Sequence, residues 1–430
     1  MSSRKEWLAA LETEEVREQL RTLYGTDEKT LAGQRERYAR LISRHADTFR
    51  DQGIRMISAP GRTEIGGNHT DHNHGRVLAA SVSLDALAAV TPRDDMQVLF
   101  HSEGYAPIQL DLSTLEVREK EGGTTRALIR GVAAGMKEKG YRIGGFEATV
   151  HSTVVSGGGL SSSAALEVLV SGILDALYNR FDMPYVTRAK ISQRAENLYF
   201  GKPSGLLDQM ASAAGGLVTV DFRDNENPEV EALSYDFAKE GYALVVVATG
   251  GSHADLTDHY AAIPAEMKEV AAYFGQPVLR GIRAEQVKAE IAGLRKKVSD
   301  RAILRAMHFI REDERVPLQV RALKENRIGD FLRLIRESGR SSYMYLQNVF
   351  ADNRDQSLSL ALCLAEEMLK EDGAWRVHGG GFAGTTLNFV PLGQVEDFVR
   401  VMNRAFGENA CFVLNIRPVG AAEMKRGGAA

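Results

Sequence analysis

The chain has 430 residues, 44% of them hydrophobic, enough to bury a large core and to favour two domains. A formal net charge of -4 and the lack of any long Lys/Arg run argue against a polyanion-binding surface, so nucleic acid is not an expected partner. Its two cysteines, Cys363 and Cys411, stand in no metal-ligand spacing and exclude a disulfide framework; both fall in apolar runs and read as core thiols in a reducing cytosol.

The opening stretch MSSRKEWLAALETEEVREQL is too acidic for a signal peptide or a mitochondrial presequence. No window reaches the roughly 18–20 apolar residues that cross a bilayer, so no membrane partner is expected. Residues 1–50 read as an amphipathic helical extension, either an oligomer contact or a lid on the core. From Ile54 the texture turns to strands, predicted at 77–90, 97–102, 108–113 and 146–155, with a helix over 126–139. SGGGL follows the last of these strands and opens a helix whose stripe is Ala165, Leu169, Ile173 and Leu177. A helix over 187–201 leads into the turn KPSGLLDQM, and strands follow at 216–222 and 243–250. Helices then dominate, at 256–275, 284–312, 317–338 and 355–371, with short strands at 375–379, 385–390 and 411–416. The polar interval 224–241 is the expected boundary, separating residues 51–232 from 233–430. Strands and helices cluster rather than alternate, which makes the class α+β.

Three glycine-rich islands carry the chemistry. In SGGGLSSSAALE (156–167), a strand, a glycine loop and a helix start follow one another. Free backbone N–H groups and the helix dipole favour an anion there, and the glycines let the backbone wrap a phosphate. Neither GxxxxGK[ST] nor GxGxxG is present in this island. The second island, APGRTEIGGNHTDHNHG (59–75), packs Arg62, Asn68, His69, Asp71, His72 and His74 into a loop-like stretch suited to a small-molecule pocket. Its histidines fail the HxHxDH spacing, because Gly67 stands two residues before His69. The third island, HGGGFAGTT (378–386), fits close packing of backbone against a ligand or another loop.

Together these islands resemble the galactokinases of the GHMP kinase superfamily. SGGGLSSSAALE is similar to the family's phosphate loop GxGLSSSAxxE, and APGRTEIGGNHTDHNHG to the signature GRVNLIGEHTDYxxG. AENLYFGKPSGLLDQ resembles Exxxx-G-xxx-G-xMDQ, and HGGGFAGT resembles TGGGFGGC. The resemblance implies a two-domain fold, an N-terminal ribosomal-protein-S5-like domain and a C-terminal ferredoxin-like domain. It implies ATP and a monosaccharide as partners, Mg2+ as the cofactor, and a monomer or homodimer. Gly157, Gly158, Gly159, Leu160, Ser161, Ser162 and Ser163 would cradle the ATP phosphates, and Ser163 and Glu196 would hold the metal. Asp208 would be the catalytic carboxylate at the anomeric hydroxyl, with Arg62 between that hydroxyl and the γ-phosphate. Asn68, His69, Asp71, Gly205 and Tyr260 would line the sugar site.

The sequence departs from that signature in several places. Asn68 replaces the Glu before His, Glu64 replaces the Asn of GRVN, His72 replaces Tyr, and MDQ becomes LDQ. An uncharged amide at 68 would repel a C6 carboxylate less than Glu does, which opens galacturonate beside galactose as substrate; N-acetylgalactosamine is a further alternative. After Tyr260 the family's Tyr-x-x-Arg-Arg continuation gives way to AAIPAEM. A non-catalytic sugar and ATP sensor is the reading from another class. It predicts damage in the phosphate loop or the catalytic carboxylate, yet SSSAA, Glu196 and Asp208 are intact.

Overall fold

The computed structural model describes residues 3–154, 159–250, 256–382 and 384–427. Two antiparallel-dominated sheets organise it. The larger contains β1 (Arg55–Gly66), β2 (Arg76–Pro92), β3 (Gln97–Ser102), β4 (Ile108–Asp111), β5 (Phe146–Ser152), β6 (Leu217–Asp221) and β7 (Glu229–Leu233). The smaller is built from β8 (Tyr242–Ala248), β9 (Ala374–His378), β10 (Thr385–Pro391) and β11 (Cys411–Leu414), in the order β11-β8-β10-β9. The last strand, β12 (Ala422–Met424), leaves the smaller sheet's end of the chain and pairs with β1 at the edge of the larger one.

Period-two alternation explains how the long central strands serve two layers. Along β2, Ala86, Ala88 and Val90 face the main core, while Leu87 and Ala89 face the N-terminal helices. β1 repeats this, with Ile57 and Ala59 in the main core and Met56 toward those helices. The N-terminal region forms three helices, Arg4–Ala10, Glu14–Tyr24 and Glu28–Thr48, capped by Ser3, Thr13 and Asp27. Trp7, Val16, Leu20, Tyr38 and Ile42 cover the outer face of the sheet, and the Trp7 indole donates to the Ile54 carbonyl at 2.9 Å.

Some elements differ from expectation. The second island is not wholly a loop: residues as far as Gly66 belong to β1, which carries register shifts between Pro60 and Arg62 and between Glu64 and Gly66. The expected interdomain interval contains β7, an exposed strand paired to β6. Pro317 does not begin a helix as expected; Asp300–Lys324 runs through it, with Val316, Val320 and Leu323 buried around it. The helix Val395–Phe406 was not expected at all. Cys363 is exposed rather than in the core. The buried face of its helix, Ser357–Leu369, is formed by Leu358, Ala361, Leu362, Ala365 and Leu369, and position 363 points away from them. Cys411 is partly buried. Among the described residues no helix is long and apolar enough to cross a membrane.

Candidate active site

The site forms where β1 bulges beside the start of the helix Ser162–Asn179. At the bulge the Arg62 N–H donates to the Leu160 carbonyl (3.1 Å), and a Cβ on Gly61 would lie 2.9 Å from that same oxygen. Only glycine permits this approach, which ties the signature strand to the phosphate loop. Gly157 and Gly158 lie outside the described residues. Gly159 has φ +67°, and a Cβ there would run into Thr385 and His378, so the loop also leans on the third island.

Arg62 is buried and grips Asp208 with a fork, Nε to Oδ1 at 2.7 Å and Nη2 to Oδ2 at 2.9 Å. Its remaining nitrogen, Nη1, donates to the Gly159 carbonyl at 2.5 Å. Asp208 stands in the first turn of the helix Leu207–Ala214, where the N-terminal dipole favours its charge. Burial would raise its pKa, but the Arg62 charge and hydrogen bonds, with the Ser161 hydroxyl on Oδ2, lower it to about 2. Asp208 is therefore an ionised, weak base, with 28% of its side chain open to the cleft.

A second carboxylate lies beside it. Glu196 stands in a π-helical turn, Ala195–Phe200, and accepts a hydrogen bond from Ser163 Oγ at 2.8 Å. Mg2+ is commonly held by one or two protein oxygens together with substrate phosphates. Ser163, in the first turn of the helix after the glycine loop, and Glu196, hydrogen-bonded to it, fit that pattern. Glu196 is steadied from behind by Gln209 Nε2 (2.8 Å), which also donates to Glu167 (3.1 Å). Desolvation, then the neighbouring Glu196 charge, pushes the buried Glu167 carboxyl well above the usual range. Leu160 is buried as an apolar anchor, and Ser162 begins the helix.

The residues expected to line the sugar site divide into two groups. Asp71 packs against Gly205, where any Cβ would overlap its carboxylate, and its charge reaches Arg62. His69 takes a left-handed φ of 57° and meets the Gly380 carbonyl through Nε2 at 3.1 Å; burial holds its pKa at about 3, so it is a neutral donor there. Tyr260 donates to the Gly381 carbonyl at 3.0 Å. Asn68 does not face open space. Its amide donates to Glu64 (2.9 Å) and to the Gly379 carbonyl (2.7 Å) and accepts from Ser342 (3.1 Å) and Asn348 (3.0 Å). Every hydrogen-bonding position is used, leaving none for a sugar oxygen.

The family profile described as the galactokinase galactose-binding signature matches residues 43–92, and that of the GHMP kinases N-terminal domain matches residues 127–216. The galactokinase of Streptomyces coelicolor is 33% identical over 355 residues, 81% of this chain and 88% of that protein. The chain belongs to the galactokinase family. The galactokinase of Enterococcus faecalis is 26% identical, over 88% of this chain and 96% of its own. The crystal structure of Lactococcus lactis galactokinase complexed with galactose shares the fold, with a TM-score of 0.79 at 24% identity, over 90% of this chain and 99% of that one. The α+β fold is thus the two-domain GHMP kinase fold.

Against the galactokinase signature, the substitutions at 64 and 68 amount to one exchange: Asn and Glu have traded places, and here they touch. Burial raises the Glu64 pKa, and the fully buried Arg376, 2.6 Å from Glu64 Oε1, opposes the rise. Sequence reasoning gave no role to Arg376, Asn348, Gln209, Glu167 or His378. His378 is a buried neutral imidazole whose Nε2 accepts the Glu64 N–H (3.2 Å) and whose Nδ1 meets Thr385 Oγ1 (3.0 Å). The available signal was positional: Glu167 and Gln209 lie inside the quoted motifs, and His378 opens the third.

Proposed function

We propose that this chain catalyses ATP-dependent phosphorylation of galactose at its anomeric hydroxyl, releasing a sugar 1-phosphate and ADP. The observation that carries this reading is the Arg62–Asp208 fork set against the loop Gly159–Ser163, within a chain of the galactokinase family.

Phosphoryl transfer passes through a loose transition state, so positioning and charge neutralisation contribute more than strong base catalysis. Asp208, ionised and weakly basic, orients the anomeric hydroxyl and takes its proton late. Arg62, already poised between Asp208 and the Gly159 carbonyl, offsets charge growing on the transferred group. Ser161 and the amides of the helix start receive the polyphosphate. Mg2+ held by Ser163 and Glu196 would neutralise phosphate charge when bound. Asp71, with His69 and Tyr260 along the third glycine loop, forms the sugar side. The burial of Asn68 removes the reason to favour galacturonate, because the carboxylate absent at 68 is present at Glu64, 2.9 Å away. The enzyme works in a reducing cytosol, where the exposed Cys363 thiol is tolerated.

The test is a coupled ADP-release assay across galactose, N-acetylgalactosamine, glucose, arabinose, galacturonate and glucuronate. Galactose should give the largest kcat/KM, with one ADP per sugar. Sugar binding without turnover for any member of the panel would instead make the chain a sensor.

A further inference from the structure

Lys202 lies in the stretch Gly201–Gly205, at a position the motif Exxxx-G-xxx-G-xMDQ leaves open. Its ammonium is 3.2 Å from Glu196 Oε1, the same oxygen that accepts from Ser163 Oγ at 2.8 Å. The two partners differ sharply in exposure: the Glu196 side chain is 3% accessible, whereas that of Lys202 is 58% accessible. The lysine thus reaches from an exposed stem to a buried carboxylate. Its charge also reaches Asp208 and Glu167, so the ammonium lies within electrostatic range of the reaction centre.

The cation inventory explains what such a lysine would do. Arg62 is committed to Asp208 by two hydrogen bonds and to a carbonyl by a third. A helix start supplies only about half an elementary charge, against the several negative charges of a nucleotide polyphosphate. An exposed ammonium on a long, flexible stem is suited to follow phosphate oxygens as a point charge. Its present partner is also a candidate metal ligand, and two cations on one carboxylate oxygen repel each other. Occupation of Glu196 by a metal would therefore free the ammonium toward the cleft.

We propose that Lys202 is a polyphosphate-binding residue of this site, parked on Glu196 until nucleotide arrives. The inference rests on the kinase reading and adds a residue to it.

Nucleotide affinity, measured by calorimetry on the full chain, tests it. ATP, ADP and adenosine are titrated into wild type, Lys202→Met and Lys202→Arg, with magnesium and with EDTA. Lys202→Met should weaken ATP and ADP about tenfold to a hundredfold, as expected for loss of a charged contact, and leave adenosine within about twofold. Lys202→Arg should recover most of the loss, since the charge returns. Galactose affinity should be unchanged in both, which also reports that the variants are folded. ATP binding by Lys202→Met within twofold of wild type in both buffers overturns the proposal and leaves the lysine as a surface ion pair. A wild-type chain that binds no ATP at all would instead sink the kinase reading, and this inference with it.

Discussion

Burial alone would raise the Asp208 pKa, yet the Arg62 fork and the Ser161 hydroxyl hold it at about 2. A depressed carboxylate adds stability above its unfolded value near 4 and loses it as pH falls toward 2. Asp208 therefore stays ionised across the working range, and a kcat profile from pH 5 to 8 should show no acid limb from it. Asp208→Asn keeps the shape but removes the charge that Arg62 holds and the acceptor for the hydroxyl proton. Turnover should fall on the order of 10²–10⁴-fold while ATP still binds; near-normal turnover would remove Asp208 from the mechanism. The Glu64/Asn68 exchange makes a second prediction at this scale. Asn68→Glu sets two buried carboxylates side by side, and Glu64→Asn strands Arg376, so each single change should cost about 3–5 kcal/mol in urea unfolding. The double variant keeps one carboxylate and one amide near Arg376 and should be more stable than either single. Additive losses would show that the two positions act independently.

At the scale of elements, Pro317 tests how far local propensity decides structure. It cannot donate to the Asp313 carbonyl, yet its helix persists because the flanking Val316 and Val320 are buried while Pro317 itself is exposed. Pro317→Ala should therefore stabilise the protein by roughly 1–3 kcal/mol, read as a higher urea midpoint at unchanged slope. The same competition separates what the sequence disclosed from what it hid. The glycine loops were legible because only glycine tolerates the approach of Leu160 O to Gly61, or of the Thr385 side chain to Gly159. The long apolar strand over 77–90 was legible because it is buried on both faces. β7 was not, since its short EVEAL stretch sits in a polar interval, none of its residues is fully buried, and only its pairing with β6 makes it a strand. The roles of Asn68 and His378 were hidden for another reason: each is decided by partners roughly three hundred residues away, at Gly379 and Glu64 respectively.

The whole molecule is tied together at one buried acid. Asp85, on β2, accepts from Arg37 (2.6 Å) and Tyr24 (2.7 Å) of the N-terminal helices, from Ser58 of β1, and from Arg417 (3.4 Å) near the C-terminus. Arg417 is itself fully buried and spans back to the Gly420 carbonyl at 2.8 Å, just before β12 joins β1. The N-terminal helices, the larger sheet and the chain's last strand therefore share one charged junction. The main core in turn runs on into the smaller sheet through Leu244, Phe331, Leu387 and Phe389. Such continuity predicts a single cooperative unfolding transition despite the 430-residue length. The two tryptophans are placed to check this. Trp7 is a buried residue of the first N-terminal helix, and Trp375 sits on β9 of the smaller sheet. In Trp7→Phe and Trp375→Phe variants each remaining indole reports one end of the structure. Their urea transitions should fall together once corrected for each variant's own stability by circular dichroism. Asp85→Asn should move both probes down in step, by about 3–5 kcal/mol, because it leaves two buried guanidinium groups without their shared counter-charge. If the Trp7 signal were lost first while Trp375 kept its midpoint, the extension would be a separately folding layer, and the junction at Asp85 would not couple it to the rest.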